Sequence, residues 1–379
     1  MKLTTAGESH GKALIAVIEG LPAHLKLDLD KINEALALRQ SGFGRGGRQK
    51  IEKDKVEILT GMRNGETLGS PLTLCIYNKD FENWKDSMSA EGCDLAAMEK
   101  KRLTKVRPGH ADLTGVIKYA QEDARNILER ASARETAIRV AAGEVYRQYL
   151  SALGVEIGGY VKEICGVKDG GMYAFNDLYA AKKTQVGMID AKAESLAIEK
   201  ISALKKDGDT AGGIVELRVK GLKSGFGSVM TYSEKLDSQL AGRLMSIQAV
   251  KGVEIGAGFA VGTTSGRDVH DEIFYEESKG FYRKSNRAGG LEGGMSNGEE
   301  LVLRIAMKPI PTLMKGLQTV DYLTRESAVA ASERSDVCAI FALEIIAEGV
   351  VAEVLANAVE KRLGGDTMAE VVERYAKLP

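Results

Sequence analysis

One long segment near the C-terminus limits the folds open to this chain. From Asp336 the stretch DVCAIFALEIIAEGVVAEVLANAVEKRL keeps apolar residues in helical register until Gly364-Gly365 stops it. A helix that apolar has to be covered by other elements rather than lie on a surface. DLDKINEALALRQ reads as a second helix, begun at Asp28 or Asp30 and ended near Ser41-Gly42, and ESLAIEKISALKKDGD as a third, with lysines in its last turn before Gly208. KVEILTG, SPLTLCIYN and GGIVELRVKGL read as strands. In ELVLRIAMKPIPTL, Leu301, Leu303, Ile305 and Met307 alternate on one face before Pro309 and Pro311 break the strand, which leaves Lys308 at its exit. The predicted class is α+β, with long buried helices and mostly meandering strands. No Pro/Ser-rich linker, low-complexity tract or charge block divides the 379 residues, so one large domain spanning 1–379 is expected.

Lys and Arg number 52 against 53 Asp and Glu, and the net charge of −1 gives no bulk electrostatic case for nucleic acid or membrane partners. Any anion site must therefore concentrate cations locally. The cysteines at 75, 93, 165 and 338 form no C-x-x-C pair, which argues against structural zinc or a disulfide scaffold, and no metal is expected. The apolar run ALIAVI near the start is too short for a signal segment or a span, so the expected location is cytoplasmic. The 43 glycines exceed the usual ~7% of a chain and sit inside patterned sequence, where they serve tight turns and close backbone approach.

Six stretches have the composition of a site. GESHG places His10 between a serine and a glycine. SGFGRGGRQK (41–50) and the preceding Arg39 supply four cations, Arg39, Arg45, Arg48 and Lys50, on a flexible backbone without an acid. It contains G-x-G-x-x-G but follows a helix instead of a strand, so it reads as an anion-binding loop and not as a dinucleotide fingerprint. RPGHAD sets His110 in a turn flanked by Arg107 and Asp112, where an imidazole can titrate near neutrality. In RASARET, Ser132 and Glu135 fit a capping box whose free N–H groups point toward Arg130 and Arg134. SNRAGGLEGGMSNGEE, with Lys308 and Thr312 beyond it, allows close backbone approach to a bulky ligand. ASERSDVCAI places Arg334 and Asp336 at the head of the last helix, with Asp336 suited to an N-cap. Each stretch also has a plain structural reading: a solvated turn, a surface histidine, a capped helix or a hairpin loop.

Together these segments resemble the chorismate synthase family along the whole chain: GESHG, SARET followed by RVAAG, and RSD, with RPGHAD, GFGRGGR, VKGVEIG, SNRAGG and KPIPT in the family's order. Ala131 and Val337 depart from the common pattern, where many members carry serine and proline. The resemblance implies a β-α-β sandwich, helices between two antiparallel sheets, assembled as a homotetramer. It implies conversion of 5-enolpyruvylshikimate 3-phosphate to chorismate and phosphate by 1,4-anti elimination with reduced FMN, which donates an electron transiently and recovers it. By the same resemblance Ser9, Arg39, Arg45, Arg107, Ser132, Ala133, Arg134 and Arg334 line the substrate site. Arg130, Ala131, Ser132, Gln248, Ala249, Gly293, Lys308, Pro309, Ile310, Pro311, Thr312 and Arg334 hold FMN. His10 donates a proton to the departing phosphate, His110 protonates or hydrogen-bonds the flavin, and Asp336 assists the flavin in taking the C6 proton.

Two other readings compete. A bifunctional form would reduce its own flavin with NAD(P)H. GAGFAVG, however, has Val261 where a dinucleotide motif needs its third glycine, so an external flavin reductase is expected as a partner. An RGG-type RNA-binding protein would need repeated RGG units, clustered aromatics and a basic chain. This sequence has one unit, 6% aromatics and near-neutral charge.

Overall fold

The computed structural model describes residues 1–47, 52–330 and 335–379. The first sheet contains β1 (Lys2–Ala6), β2 (Ala13–Glu19), β3 (Glu57–Thr60) and β4 (Leu72–Tyr77), antiparallel in the order β1-β2-β4-β3. The second contains β5 (Glu156–Ile164), β6 (Val167–Lys168), β7 (Gly213–Lys220), β8 (Val250–Ile255) and β9 (Leu301–Met307), antiparallel in the order β8-β9-β7-β5-β6. The main helices are α1 (Leu29–Gln40), α2 (Asp112–Tyr119), α3 (Arg125–Ala131), α4 (Thr136–Ser151), α5 (Ala191–Asp207), α6 (Leu236–Met245) and α7 (Ile340–Leu363).

Helices α4 and α7 lie between the sheets. α4 packs on β2 and β4, α7 packs on β5 and β7, the two helices pack on each other, and α1 touches both. This is the β-α-β sandwich that the resemblance implied, and one apolar cluster runs through it from Leu14 and Leu74 in the first sheet to Leu217 and Leu303 in the second. Covering on both sides explains why α7 is apolar around its circumference. Each Leu, Ile or Val it buries contributes roughly 1.5–3 kcal/mol. Its polar exceptions are paired: Glu344 and Glu348 both meet Lys182, and Glu348 also takes Arg147 at 3.0 Å. Burial opposes ionisation of both carboxyls. Lys182 and Arg147 nevertheless hold Glu348 low, and its charge helps burial push Glu344 up.

Local signals explain the element ends. Asp28 caps α1 by accepting from Asp30 N and Lys31 N, and α5 ends at Gly208 with φ +72°. Two expectations are corrected. α7 begins at Ile340 instead of Asp336, because Val337 N and Cys338 N bond to Gly44 O and Cys338 bridges Ala211, which holds 337–338 out of the helix. Asp336 is therefore not an N-cap. Only half of the Ser132 box forms: the serine accepts from Arg134 N in a short 3₁₀ turn (Ala133–Glu135), while the Glu135 carboxylate turns to Thr5 and Gln248.

The α4–α7 contact is so close that a methyl carbon added at Gly143 would lie 2.4 Å from Gly349 Cα, whereas one at Gly242 in α6 meets nothing within 4 Å. Gly143→Ala should lower stability by roughly 1–3 kcal/mol through forced separation of the helices. Gly242→Ala should leave it unchanged or raise it by about 0.5–1 kcal/mol. Calorimetric melts of the two variants check this, and equal melting temperatures would refute the close crossing.

Candidate active site

The GESHG turn joins β1 to β2. It needs glycine at its start, where Gly7 has φ +112° and a Cβ would lie 2.4 Å from Ala13 O. The turn is tied down from α3. Ser9 N donates to Glu129 O (2.9 Å), His10 N to Glu129 Oε2 (2.7 Å), and His10 Nδ1 to the same carboxylate at 2.9 and 3.0 Å. The imidazole stacks on Trp84 with centroids 4.0 Å apart, and Nε2 is 4.0 Å from Asp80 Oδ2. Ser9 and His10 are both buried.

Beside this turn lies a group of arginines. Arg134 donates from Nε to Asn78 Oδ1 (2.9 Å) and from Nη1 to Asp54 Oδ2 (2.7 Å), while Asn78 Nδ2 donates to Gly11 O (2.7 Å) and so couples the arginine to the histidine turn. Arg39, in the last turn of α1, donates to Thr136 Oγ1 and to Ala133 O, both at 2.9 Å, with Nη1 3.7 Å from Asp54. Arg45 meets Asp336 at 3.2 Å, and Asp336 also accepts from Gly46 N at 2.6 Å. Burial pushes Arg39 down to about 9, and the neighbouring Arg134 and Arg45 add to this against the pull of Asp54. It stays charged at neutral pH, in surroundings that favour an added anion.

A second group gathers around RPGHAD. Arg107 grips Asp112 with Nε and Nη2 (2.8 and 3.0 Å) and donates from Nη1 to Thr312 Oγ1 (3.1 Å), and His110 Nδ1 donates to Asp112 Oδ1 at 2.6 Å. Burial of Asp112 disfavours its charge, but these hydrogen bonds from His110 and Arg107 outweigh burial and hold the carboxyl well below the usual range. Lys308 Nζ bonds Gly109 O and Lys308 N bonds Ala249 O, so the strand exit, Gln248-Ala249 and the RPGHAD turn are contiguous. Gln248 reaches on to Glu135, which also accepts from Thr5, and Arg130 donates to Thr5. Arg130, Glu135 and Gln248 line a cavity of about 300 Å³. Pro311 packs near Gly109, and Ile310 O accepts from Thr210.

The structure thus links Ser9, His10, Arg39, Arg134 and Ala133 in one cluster, Arg45 with Asp336, and Arg107, His110, Lys308 and Thr312 in another, with Arg130 and Gln248-Ala249 adjoining. Ala131 ends α3, and Ser132 serves as a cap. Gly293 is not brought to these groups: it turns a hairpin whose nearest atoms belong to Val229 and Met295. Arg48, Lys50 and Arg334 lie outside the described residues. Glu129, Trp84, Asp54, Asn78 and Thr136 were not found from sequence. Trp84, the single tryptophan, was the one available signal.

The donor set suits a ligand rich in anions. Arg134 Nη2 and Arg45 Nε are buried without a hydrogen-bond partner among the described residues, as is Gln248 Oε1. Arg134 Nη2 lies 3.8 Å from Glu52 Oε2, an ion pair without a hydrogen bond, and buried donors that make no hydrogen bond are costly unless a ligand takes them up. Arg130, Ser132, Gln248, Ala249 and Lys308–Thr312 combine cations, hydroxyls and irregular backbone, which fits a phosphorylated flavin. Among the described residues no group of three His, Cys, Asp or Glu could hold a metal, and no helix is long and apolar enough to cross a membrane. A larger cavity of about 620 Å³, beside Lys31, Arg147 and Tyr179, shares no residue with these clusters.

The family model described as chorismate synthase matches residues 1–359. The chorismate synthase of Caldicellulosiruptor bescii is 50% identical over 100% of this chain and 99% of its own. That of Syntrophotalea carbinolica is 52% identical over 98% and 96%. A crystal structure of a chorismate synthase superimposes with a TM-score of 0.80 at 37% identity, covering 99% of this chain and 96% of the other.

The Asp112 geometry carries a pH prediction. Its carboxyl is depressed on folding, so the stability it contributes is present above the ordinary value of about 4 and is lost as pH falls toward the depressed native value. Asp112→Asn should cost about 3 kcal/mol at neutral pH, because Arg107 loses its buried partner, and should flatten the decline in melting temperature below pH 4. Parallel acid limbs for variant and wild type would contradict this.

Proposed function

That this chain belongs to the chorismate synthase family, whose members are carbon–oxygen lyases of the shikimate pathway, is the premise from which we propose that it converts 5-enolpyruvylshikimate 3-phosphate to chorismate and phosphate with reduced FMN. The observation that best supports this is His10, held by a buried carboxylate beside arginines with unused donors. An acid next to an anion site is what departure of a phosphate requires. In this reading Arg39, Arg45, Arg107, Arg134 and Arg334 receive the phosphate and two carboxylates of the substrate. Ser9, Ser132 and Ala133 complete the wall.

The electron flow assigns the roles. As the C6–H bond breaks, its pair forms C1=C6, the C1=C2 pair moves to C2=C3, and the C3–O pair leaves with phosphate. His10 Nε2 delivers the proton that the leaving oxygen takes up. In this reading Asp336, held by Arg45 and Gly46 N, assists removal of the C6 proton, which the bound flavin would accept. When bound, reduced FMN would supply an electron-rich ring that lends density to the allylic C–O bond as it breaks, which accounts for a flavin in a reaction with no net redox change. Arg130, Ala131, Ser132, Gln248, Ala249, Lys308–Thr312 and Arg334 would hold it, and His110, oriented by Asp112, would hydrogen-bond its ring. The arginines act with little rearrangement, because their carboxylate partners already hold them in place.

The same reading has the protein working in the cytoplasm as a homotetramer, with its flavin reduced by a separate reductase. Absence of NADPH consumption when FMN is added in air is the expected result for a monofunctional enzyme.

Anaerobic incubation with substrate and chemically reduced FMN should release chorismate and phosphate in equal amounts, and oxidised FMN should give neither. A folded, FMN-binding protein that forms no product would overturn the proposal. His10→Ala and His110→Ala should each lower turnover by about 10² or more. Unchanged rates in both would remove the assigned acid and hydrogen-bonding roles.

A further inference from the structure

We propose that Glu129 and Trp84 are positioning residues that fix the proton inventory and the plane of His10, so that Nε2 is the one nitrogen able to give a proton to substrate. The inference rests on the reading that His10 is the acid for the departing phosphate, and it names two residues that act through it without touching the reacting atoms.

A carboxylate can only accept hydrogen bonds. Glu129 takes one from His10 N at 2.7 Å and one from Nδ1 at 2.9 Å, so a proton must reside on Nδ1 in both the neutral and the charged ring. Deprotonation then occurs at Nε2 alone. That nitrogen lies on the side of Asp80, 4.0 Å away, which is beyond hydrogen-bond distance. The carboxylate is itself fixed: its residue is 2% exposed, its backbone carbonyl holds Ser9 N, and Arg125 Nη1 lies 3.8 Å from Oε1.

The two hydrogen bonds set the edge of the ring but leave its tilt free. Trp84 supplies the remaining constraint by stacking on the imidazole at 4.0 Å and 28°. Arg125, 5.3 Å from the Trp84 ring centroid, in turn fastens the indole to α3, which carries Glu129, and Lys101 Nζ, 3.9 Å from the centroid, belongs to a neighbouring segment that Arg125 Nε holds through Lys101 O at 3.0 Å. The acid is thus held from its edge by a charge and from its face by a ring, and both restraints converge on α3. After transfer His10 is left neutral with its proton on Nδ1, and the phosphate departs carrying the Nε2 proton and the C3–O electron pair.

Glu129→Gln tests this in the full-length protein. With its oxygen on His10 N, the glutamine amide donates to Nδ1, and the doubly protonated ring then loses a hydrogen bond instead of keeping one. Turnover should fall by about 10²-fold or more, KM for substrate should stay within threefold, and the emission of Trp84, the only tryptophan, should keep its wild-type wavelength because the stack is retained. Trp84→Leu, on a partly exposed segment, should lower kcat about tenfold with KM little changed, and Trp84→Phe should restore it to within threefold of wild type. If Glu129→Gln fails to fold, the Trp84 pair decides. Glu129→Gln within threefold of wild-type kcat, or a loss confined to KM, would overturn the inference, as would Trp84→Phe as slow as Trp84→Leu. His10→Ala separates the two readings: if it is as active as wild type, the acid role itself fails, whereas a crippled His10→Ala beside an active Glu129→Gln refutes only the positioning.

Discussion

Asp54 sits with no exposed side-chain surface against Arg134 at 2.7 Å and Arg39 at 3.7 Å, and the site depends on that shared carboxylate. A protein with a net charge of −1 can gather arginines in a small volume only by placing acids among them. Asp54 orients both cations before any ligand arrives, and a second buried carboxylate, Glu52, lies 3.8 Å from Arg134 Nη2. Removing Asp54 would leave two buried like charges facing each other. Pairs of this kind add little net stability after desolvation, and their value here is orientation. The same device recurs at Asp112 with Arg107 and His110, at Asp336 with Arg45, and at Glu129 with His10.

The sandwich places these acids and bases by bringing distant segments to one side of the α4 N-terminus. Arg39 ends α1, Arg134 precedes α4, and Asn78 follows β4, so the arginine cluster forms where helix layer and first sheet meet. Lys308 leaves β9 of the second sheet and reaches Gly109. The Glu135–Gln248 bond joins the two halves near the cavity lined by Arg130. The helix crossing at Gly143 and Gly349 sets the separation of the sheets, and with it the distance between these groups.

Much of this was legible in the sequence where the pattern is local. α1 with its Asp28 cap, the glycine end of α5, the β9 alternation and the Arg107–His110–Asp112 cluster all follow from residues a few positions apart. Where a tertiary partner decides, local reading failed. Asp336 looks like an N-cap, yet Gly44 and Ala211 hold the chain at 337–338 out of the helix, and the carboxylate turns to the basic loop. Glu135 completes a capping box on paper but bonds Thr5 instead. Asp54, in the polar run EKDKVE, looks solvated, and Glu129 looks like any helix glutamate. Their roles come from arginine and histidine partners far away in sequence, which no periodicity encodes. Gly293 was read from its glycine-rich stretch as allowing close backbone approach to a ligand, and from the resemblance as flavin-binding, but its hairpin stands apart from the clusters within one chain.

The central claim is that acids pre-arrange the cations and that unused donors on those cations receive the substrate. A crystal structure with 5-enolpyruvylshikimate 3-phosphate and oxidised FMN tests it most directly. The account predicts substrate oxygens on Arg134 Nη2 and Arg45 Nε, with the Asp54–Arg134 and Glu129–His10 pairs still in place. Substrate seated in the larger cavity beside Lys31 and Arg147, or bound only after Arg134 has left Asp54, would contradict it.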